Sequence, residues 1–277
     1  MPRPESAVTR AVTLTESVLR RERLIVAGAL GLICLLSWYY LLQGAGTGMS
    51  TVAMTTWQFP PPIKGGASQQ WPLLYWLLML LMWWVMMIAM MVPSAAPMIL
   101  LYARVNRHSR QQAGEPAGLI PTGAFLLGYL LAWLVFSLVA TLLQWGLEQV
   151  GLLHGMLMWS NSRILSGLFL LAAGIYQFST LKNTCLKHCR GPASFLTQHW
   201  RPGGLGALRM GLAHGLFCVG CCWFLMLLLF VGGIMNLVWI AGLAILVLLE
   251  KLLPRGLWLA RASGLAMQLA GAYLLLT

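Results

Sequence analysis

Long apolar stretches alternate with short polar gaps along the chain after residue 22. They lie near 24–43, 72–102, 119–145, 164–181, 208–232, 235–253 and 256–276, and a helix needs roughly 20 such residues to cross a hydrocarbon core. The pattern predicts an all-α fold, a polytopic membrane bundle of about seven transmembrane helices. Pro254-Arg255-Gly256 separates the last two stretches. The first is longer than the apolar part of a signal peptide and reads as a retained anchor, although Gly44-Ala45-Gly46 is compatible with cleavage. Residues 1–22 then form a basic tail and 23–277 a single transmembrane domain.

Composition agrees with the pattern. Hydrophobic residues make up 59% of the chain and charged ones only 9%, where a soluble domain carries about 25%. The net charge of +12 suits nucleic acid only when it forms a basic face on a soluble domain, and here the charges are spread through the gaps. With the N-terminus in the cytoplasm, Lys64 and Arg163 are the only basic residues outside; the other 16 of the 18 fall inside. The positive-inside rule therefore predicts a cytoplasmic N-terminus and an outer C-terminus. Six cysteines without regular spacing do not form a secreted disulfide framework, so free thiols or metal ligands are expected.

The strongest chemical signal is His214-Gly215-Leu216-Phe217-Cys218-Val219-Gly220-Cys221-Cys222. On a helix with Cys218 at zero, His214 lies at about −40°, Cys221 at about −60° and Cys222 at about +40°, so all four share a face. Steps of four residues extend the stripe to Met210 and Met226. Thiolates, thioethers and imidazole select Cu(I), or zinc where thiolates dominate. One helix face offers two or three ligands to an ion. That suffices for Cu(I), whereas a closed zinc site needs ligands from another helix. A thiolate in an apolar medium also needs a compensating cation, which a bound metal supplies. The alternative is that these are three small residues beside Gly211, Gly215 and Gly220 in a close-packed helix contact, a role that Ala and Ser would serve as well.

Other soft ligands flank this stripe. Met82, Met86 and Met90 follow the four-residue step in the second stretch and predict a thioether ladder for Cu(I), unless they are adaptable core fillers. Pro93 and Pro97 break its backbone ladder, either lining a cavity or making a passive kink. The third stretch carries no evident chemistry and reads as scaffold. In the gap after it, His154, Met156 and Met158 alternate, and an extended strand would point them to one side. Cys185, His188 and Cys189 share a helix face beyond the fourth stretch, with Lys187 and Arg190 beside them, and predict an inner-side relay. Residues 191–206 read as a loop whose His199 is either a third ligand or a surface residue, the surface being the favoured reading. Glu250, Lys251 and Arg255 read as a solvated charge group, with Arg261 snorkelling toward the same interface.

Enzymatic hydrolysis finds no support, because the chain has no Asp, six Glu and no phosphate-cradling Gly-Lys-Ser/Thr loop. Cys218 and Cys221 form a Cys-x-x-Cys, which keeps thiol–disulfide exchange as an alternative. A copper transporter and a purely structural subunit are the others.

The strings Met86-Met87-Ile88-Ala89-Met90-Met91-Val92-Pro93 with Pro97-Met98, Leu181 to Arg190, and Gly211 through Cys218-Val219-Gly220-Cys221-Cys222-Trp223 with Met235-Asn236 resemble the predicted metal-binding integral membrane proteins. That family includes membrane copper chaperones serving tyrosinase-type enzymes, and the resemblance covers roughly 72–253. It implies the bacterial cytoplasmic (inner) membrane, copper as the metal, and a non-enzymatic role as chaperone or insertion factor. The implied partners are the lipid bilayer and a client cuproenzyme or copper donor protein, with no nucleic acid; a homo-oligomer is compatible with this.

Overall fold

The computed structural model describes residues 5–48, 50–55, 70–112, 118–155 and 158–276, with the backbone alone for 5–22. The described residues form the helices α1 Glu5–Leu42, α2 Thr51–Met54, α3 Leu73–Gln112, α4 Ile120–Gln149, α5 Arg163–Tyr176, α6 Thr180–Arg190, α7 Pro192–His199, α8 Gly203–Leu227, α9 Leu229–Gly232, α10 Leu237–Leu252 and α11 Gly256–Leu276. No strand occurs among the described residues.

Five of these segments are long and apolar enough to cross a membrane, and a sixth arises if the bent pair α5 and α6 is one span. Seven were expected. The difference lies in two stretches. The fourth breaks after Tyr176, and α6 turns by 64° from α5, with Ser179 accepting a hydrogen bond from the Lys182 N–H as its cap. The sixth becomes α10, whose 16 residues fall short of a full crossing. Two polar regions are helical as well. The helix of α1 begins at Glu5 and runs unbroken through the basic tail into the first apolar stretch. Residues 192–199, read as loop, form α7, opened by Pro192 at a position where its missing N–H costs nothing.

Close backbone approach organises the bundle around α8. A Cβ at Gly128 of α4 would strike the Leu208 carbonyl, one at Gly211 would strike the Phe125 carbonyl, and one at Gly215 would stand 2.6 Å from Ala132 Cβ. These glycines let α4 and α8 touch along their backbones, as small residues do between membrane helices. A second seam joins α5 and α11, where Gly167 faces Gly271 and Gly174 faces Gly264. Large apolar groups such as Leu35, Leu73, Ile120, Ile164 and Leu276 point outward, while α8 is the most enclosed of the long helices.

The polar groups at one end of the bundle are tied together. Trp83 and Trp71 donate to Gln144 and Glu148, and Gln144 donates to Glu148. Asn236 caps α10 by accepting from the Val238 N–H at 3.1 Å.

The seam between α4 and α8 should tolerate no added carbon. Gly211→Ala is expected to lower stability by about 1–3 kcal/mol through overpacking. Gly123→Ala, whose Cβ would meet open space, should be neutral or slightly stabilising. Thermal unfolding in detergent checks both.

Candidate metal centre

The six side chains of the α8 stripe, Met210, His214, Cys218, Cys221, Cys222 and Met226, are all buried, none more than 3% exposed. They do not form one site. Met210 lies near the start of α8, where its sulfur is 3.2 Å from the Arg201 N–H. His214 sits among Phe125, Tyr129 and Phe195, with ring centres 5.3 to 6.2 Å away, and its Nδ1 is buried with no hydrogen-bond partner. Met226 is in the apolar core nearer the other end. The chemistry concentrates on the three cysteines between them.

Those cysteines are not equivalent. The Cys221 and Cys222 thiols each reach back to the Cys218 carbonyl, at 3.1 and 2.9 Å. The Cys218 sulfur instead receives the Lys251 ammonium at 2.9 Å and lies 3.1 Å from the Tyr129 hydroxyl. Lys251 also donates to Ser94 Oγ at 2.9 Å. Cys218 is therefore the sulfur surrounded by donors and by positive charge, the surroundings in which a thiolate is metal-binding and nucleophilic.

Two further helices bring sulfur to this face. Cys189 of α6 places its Sγ 3.9 Å from Cys221 Sγ, and Met91 of α3 places its Sδ 3.9 Å from Cys222 Sγ. Cys185, also on α6, lies against Gly220, so close that a Cβ there would stand 2.8 Å from its sulfur. The Tyr176 hydroxyl, at the end of α5, donates to the Gly220 carbonyl and holds the same edge. All six cysteines of the chain are free thiols, and Cys34, on α1, is the one outside these groups.

The methionine-rich helix α3 meets the stripe through Met91. Met82, Met86 and Met90 are buried in α3, but the methionine beside Cys222 is Met91. Two residues not singled out for the site, Tyr129 and Lys251, meet Cys218, and Ser94 accepts from the same Lys251 ammonium. The third stretch is thus more than scaffold, since Tyr129 of α4 touches both Cys218 and the Met91 carbonyl. Glu250 and Lys251 are buried at 1% and 7% exposure rather than solvated. Glu250 meets Lys182 of α6 at 2.7 Å and accepts from Gln177, while Arg261 is exposed.

The His154 segment takes another form than a strand. The Met158 N–H returns to the His154 carbonyl at 2.7 Å, and Met158 has a positive φ of 55° with its side chain buried. This turn does not align the two side chains as an extended backbone would; Met156 lies outside the described residues. His188 stacks on Phe217 with ring centres 4.2 Å apart, and its Nδ1 bonds the Thr184 carbonyl. Among the described residues no three His, Cys, Asp or Glu side chains converge as around a bound ion. What converges is pairs of sulfurs, beside a buried lysine.

Residues 80–274, which contain this whole cluster, match the family model PpoB2, described as a copper chaperone. The chain belongs to the PpoB2 copper chaperone family. No curated protein and no solved structure matches it. For a PpoB2 chain copper is cargo, and soft sulfur donors suit copper.

The buried pair Lys182 and Glu250 pins α6, with Cys185 and Cys189, against α10, with Lys251. Glu250→Gln leaves a buried lysine uncompensated and should cost about 3–5 kcal/mol, whereas Lys182→Met with Glu250→Met should recover most of that loss. Thermal unfolding of the three proteins reads both changes.

Proposed function

We propose that this PpoB2 family member is a Cu(I) chaperone of the bacterial cytoplasmic membrane. It holds the ion among Cys218, Cys221, Cys222, Cys189 and Met91 and passes it to a client copper enzyme. The carrying observation is the meeting of sulfur from α8, α6 and α3, at 3.9 Å in two separate pairs, inside an apolar bundle. The two pairs meet α8 at adjacent residues, Cys221 and Cys222, so the ion can change one ligand at a time and stay bound while it moves. Two or three soft ligands satisfy Cu(I), and a tetrahedral zinc cage asks for four. The tyrosinase-type client and the cytoplasmic N-terminus follow from the family resemblance and from the distribution of lysine and arginine.

The Lys251 ammonium has a defined part in this cycle. It balances charge at Cys218 in the unloaded protein, and an arriving Cu(I) brings its own charge to the same sulfur. Loading therefore exchanges one cationic partner of Cys218 for another. No covalent catalysis is involved.

A second reading rests on the Cys189 and Cys221 contact, which is short enough for oxidation to a disulfide to be tested. A copper transporter is the third.

The deciding experiment purifies wild type, Cys218→Ser/Cys222→Ser and Cys34→Ser without oxygen and measures copper. Stoichiometric copper is expected in wild type and Cys34→Ser, and loss of nearly all of it in the double variant. Mixing with a copper-free tyrosinase-type enzyme should then activate it, without copper accumulating inside sealed proteoliposomes. Wild type without copper contradicts the proposal. Copper accumulation favours transport, and a reversible disulfide without copper favours the redox reading.

A further inference from the structure

Three histidines and two phenylalanines interlock where α6, α7 and α8 meet. His188 stacks on Phe217 at 4.2 Å with the rings 1° from parallel, and His199 stacks on Phe195 at 4.6 Å and 15°. The two histidine rings stand 6.5 Å apart at 72°. Phe195 then meets His214 edge to face at 5.3 Å.

Hydrogen bonding sets the tautomer of both outer rings. His188 Nδ1 lies 2.9 Å from the Thr184 carbonyl and His199 Nδ1 lies 3.1 Å from the Phe195 carbonyl. A carbonyl oxygen only accepts, so each Nδ1 carries the hydrogen. In the neutral ring that leaves the lone pair on Nε2, the arrangement by which backbone carbonyls prepare metal-binding histidines. Stacking on a phenylalanine further fixes each ring plane. Both rings are half-buried, so they remain within reach of solvent.

The spacing suits one ion. Two imidazoles bridged through a metal stand about 6 Å apart centre to centre, from two metal–nitrogen bonds of about 2.0 Å and half a ring on each side. The ring separation here is 6.5 Å. Inward of this pair, His214 offers a buried Nδ1 that has no partner, one helical turn before Cys218.

We propose that His188 and His199 form a two-coordinate docking site for a soft monovalent cation, Cu(I), from which the ion passes by way of His214 to the thiols of α8. The inference rests on the reading of the thiol cluster as the Cu(I) store. It adds the place where the ion first binds and the side of the bundle that it uses, the corner carrying Lys187, Arg190 and Arg201. Each step is ligand exchange: one nitrogen leaves as the next donor binds, with no electron transferred.

His188→Asn/His199→Asn tests this, because an asparagine amide N–H can still donate to the carbonyl that Nδ1 served, while Nε2 is lost. Loading of the full-length protein in nanodiscs is followed from a colorimetric Cu(I) chelate, together with final copper content and thermal stability. The variant is expected to load about tenfold more slowly or worse, since even the loss of an outer-shell partner acts on that scale, with final copper content unchanged and the fold retained despite the two lost ring contacts. In a variant with Cys185, Cys189, Cys218, Cys221 and Cys222 all changed to Ser, one equivalent of Ag(I) should shift the histidine Nε2 signals of residues 188 and 199 in nitrogen NMR. Equal loading rates in the asparagine variant and wild type, or Ag(I) leaving those signals unmoved, overturn the docking site. Wild type that takes up no copper overturns the thiol store instead, so the two failures are distinguishable.

Discussion

Two lysines lie inside an apolar bundle, and the arrangement around the thiols follows from how their charges are met. A charge removed from water must be paired and hydrogen-bonded or it destabilises the fold. Lys182 finds Glu250, which Gln177 also serves. Lys251 donates instead to the Ser94 hydroxyl and the Cys218 sulfur. Since these lysines sit on α6 and α10, meeting both demands fixes the two helices against α8 at the level of its cysteines.

That constraint works together with the glycine seam. Gly128, Gly211 and Gly215 bring α4 and α8 into backbone contact, which sets Tyr129 beside Cys218. The seam takes one side of α8 and leaves the cysteine side to α3, α6 and α10. Small residues and soft ligands on α8 are therefore not competing explanations of the same face. The glycines make the approach, and the sulfurs occupy what the approach encloses.

Much of this was legible in the residues before the structure. The all-helical fold and the burial of the α8 stripe follow from apolar length and from a 100° turn per residue. The partner residue on α3 was not legible, because a helix apolar all round carries no mark of which side meets which neighbour. Met91 rather than Met82, Met86 or Met90 is set by the rotation of α3 in the bundle. Lys251 did leave a signal: it is eleven residues after Ile240 on the buried stripe that includes Leu243 and Val247, so periodicity alone places it inward. Reading it as part of a solvated charge group followed its neighbours in the sequence instead of its face of the helix. His199 was assigned to the surface because Pro192, Pro202 and the glycines concealed a two-turn helix.

The proposed Cu(I) store lies among the sulfurs between α8 and the helices bearing Cys189 and Met91. Copper X-ray absorption on the anaerobically loaded protein reads its ligands. A first shell of two or three sulfur atoms, reduced when Cys218 and Cys222 are replaced by serine, is expected. A shell of nitrogen and oxygen alone, unchanged by those replacements, would contradict it.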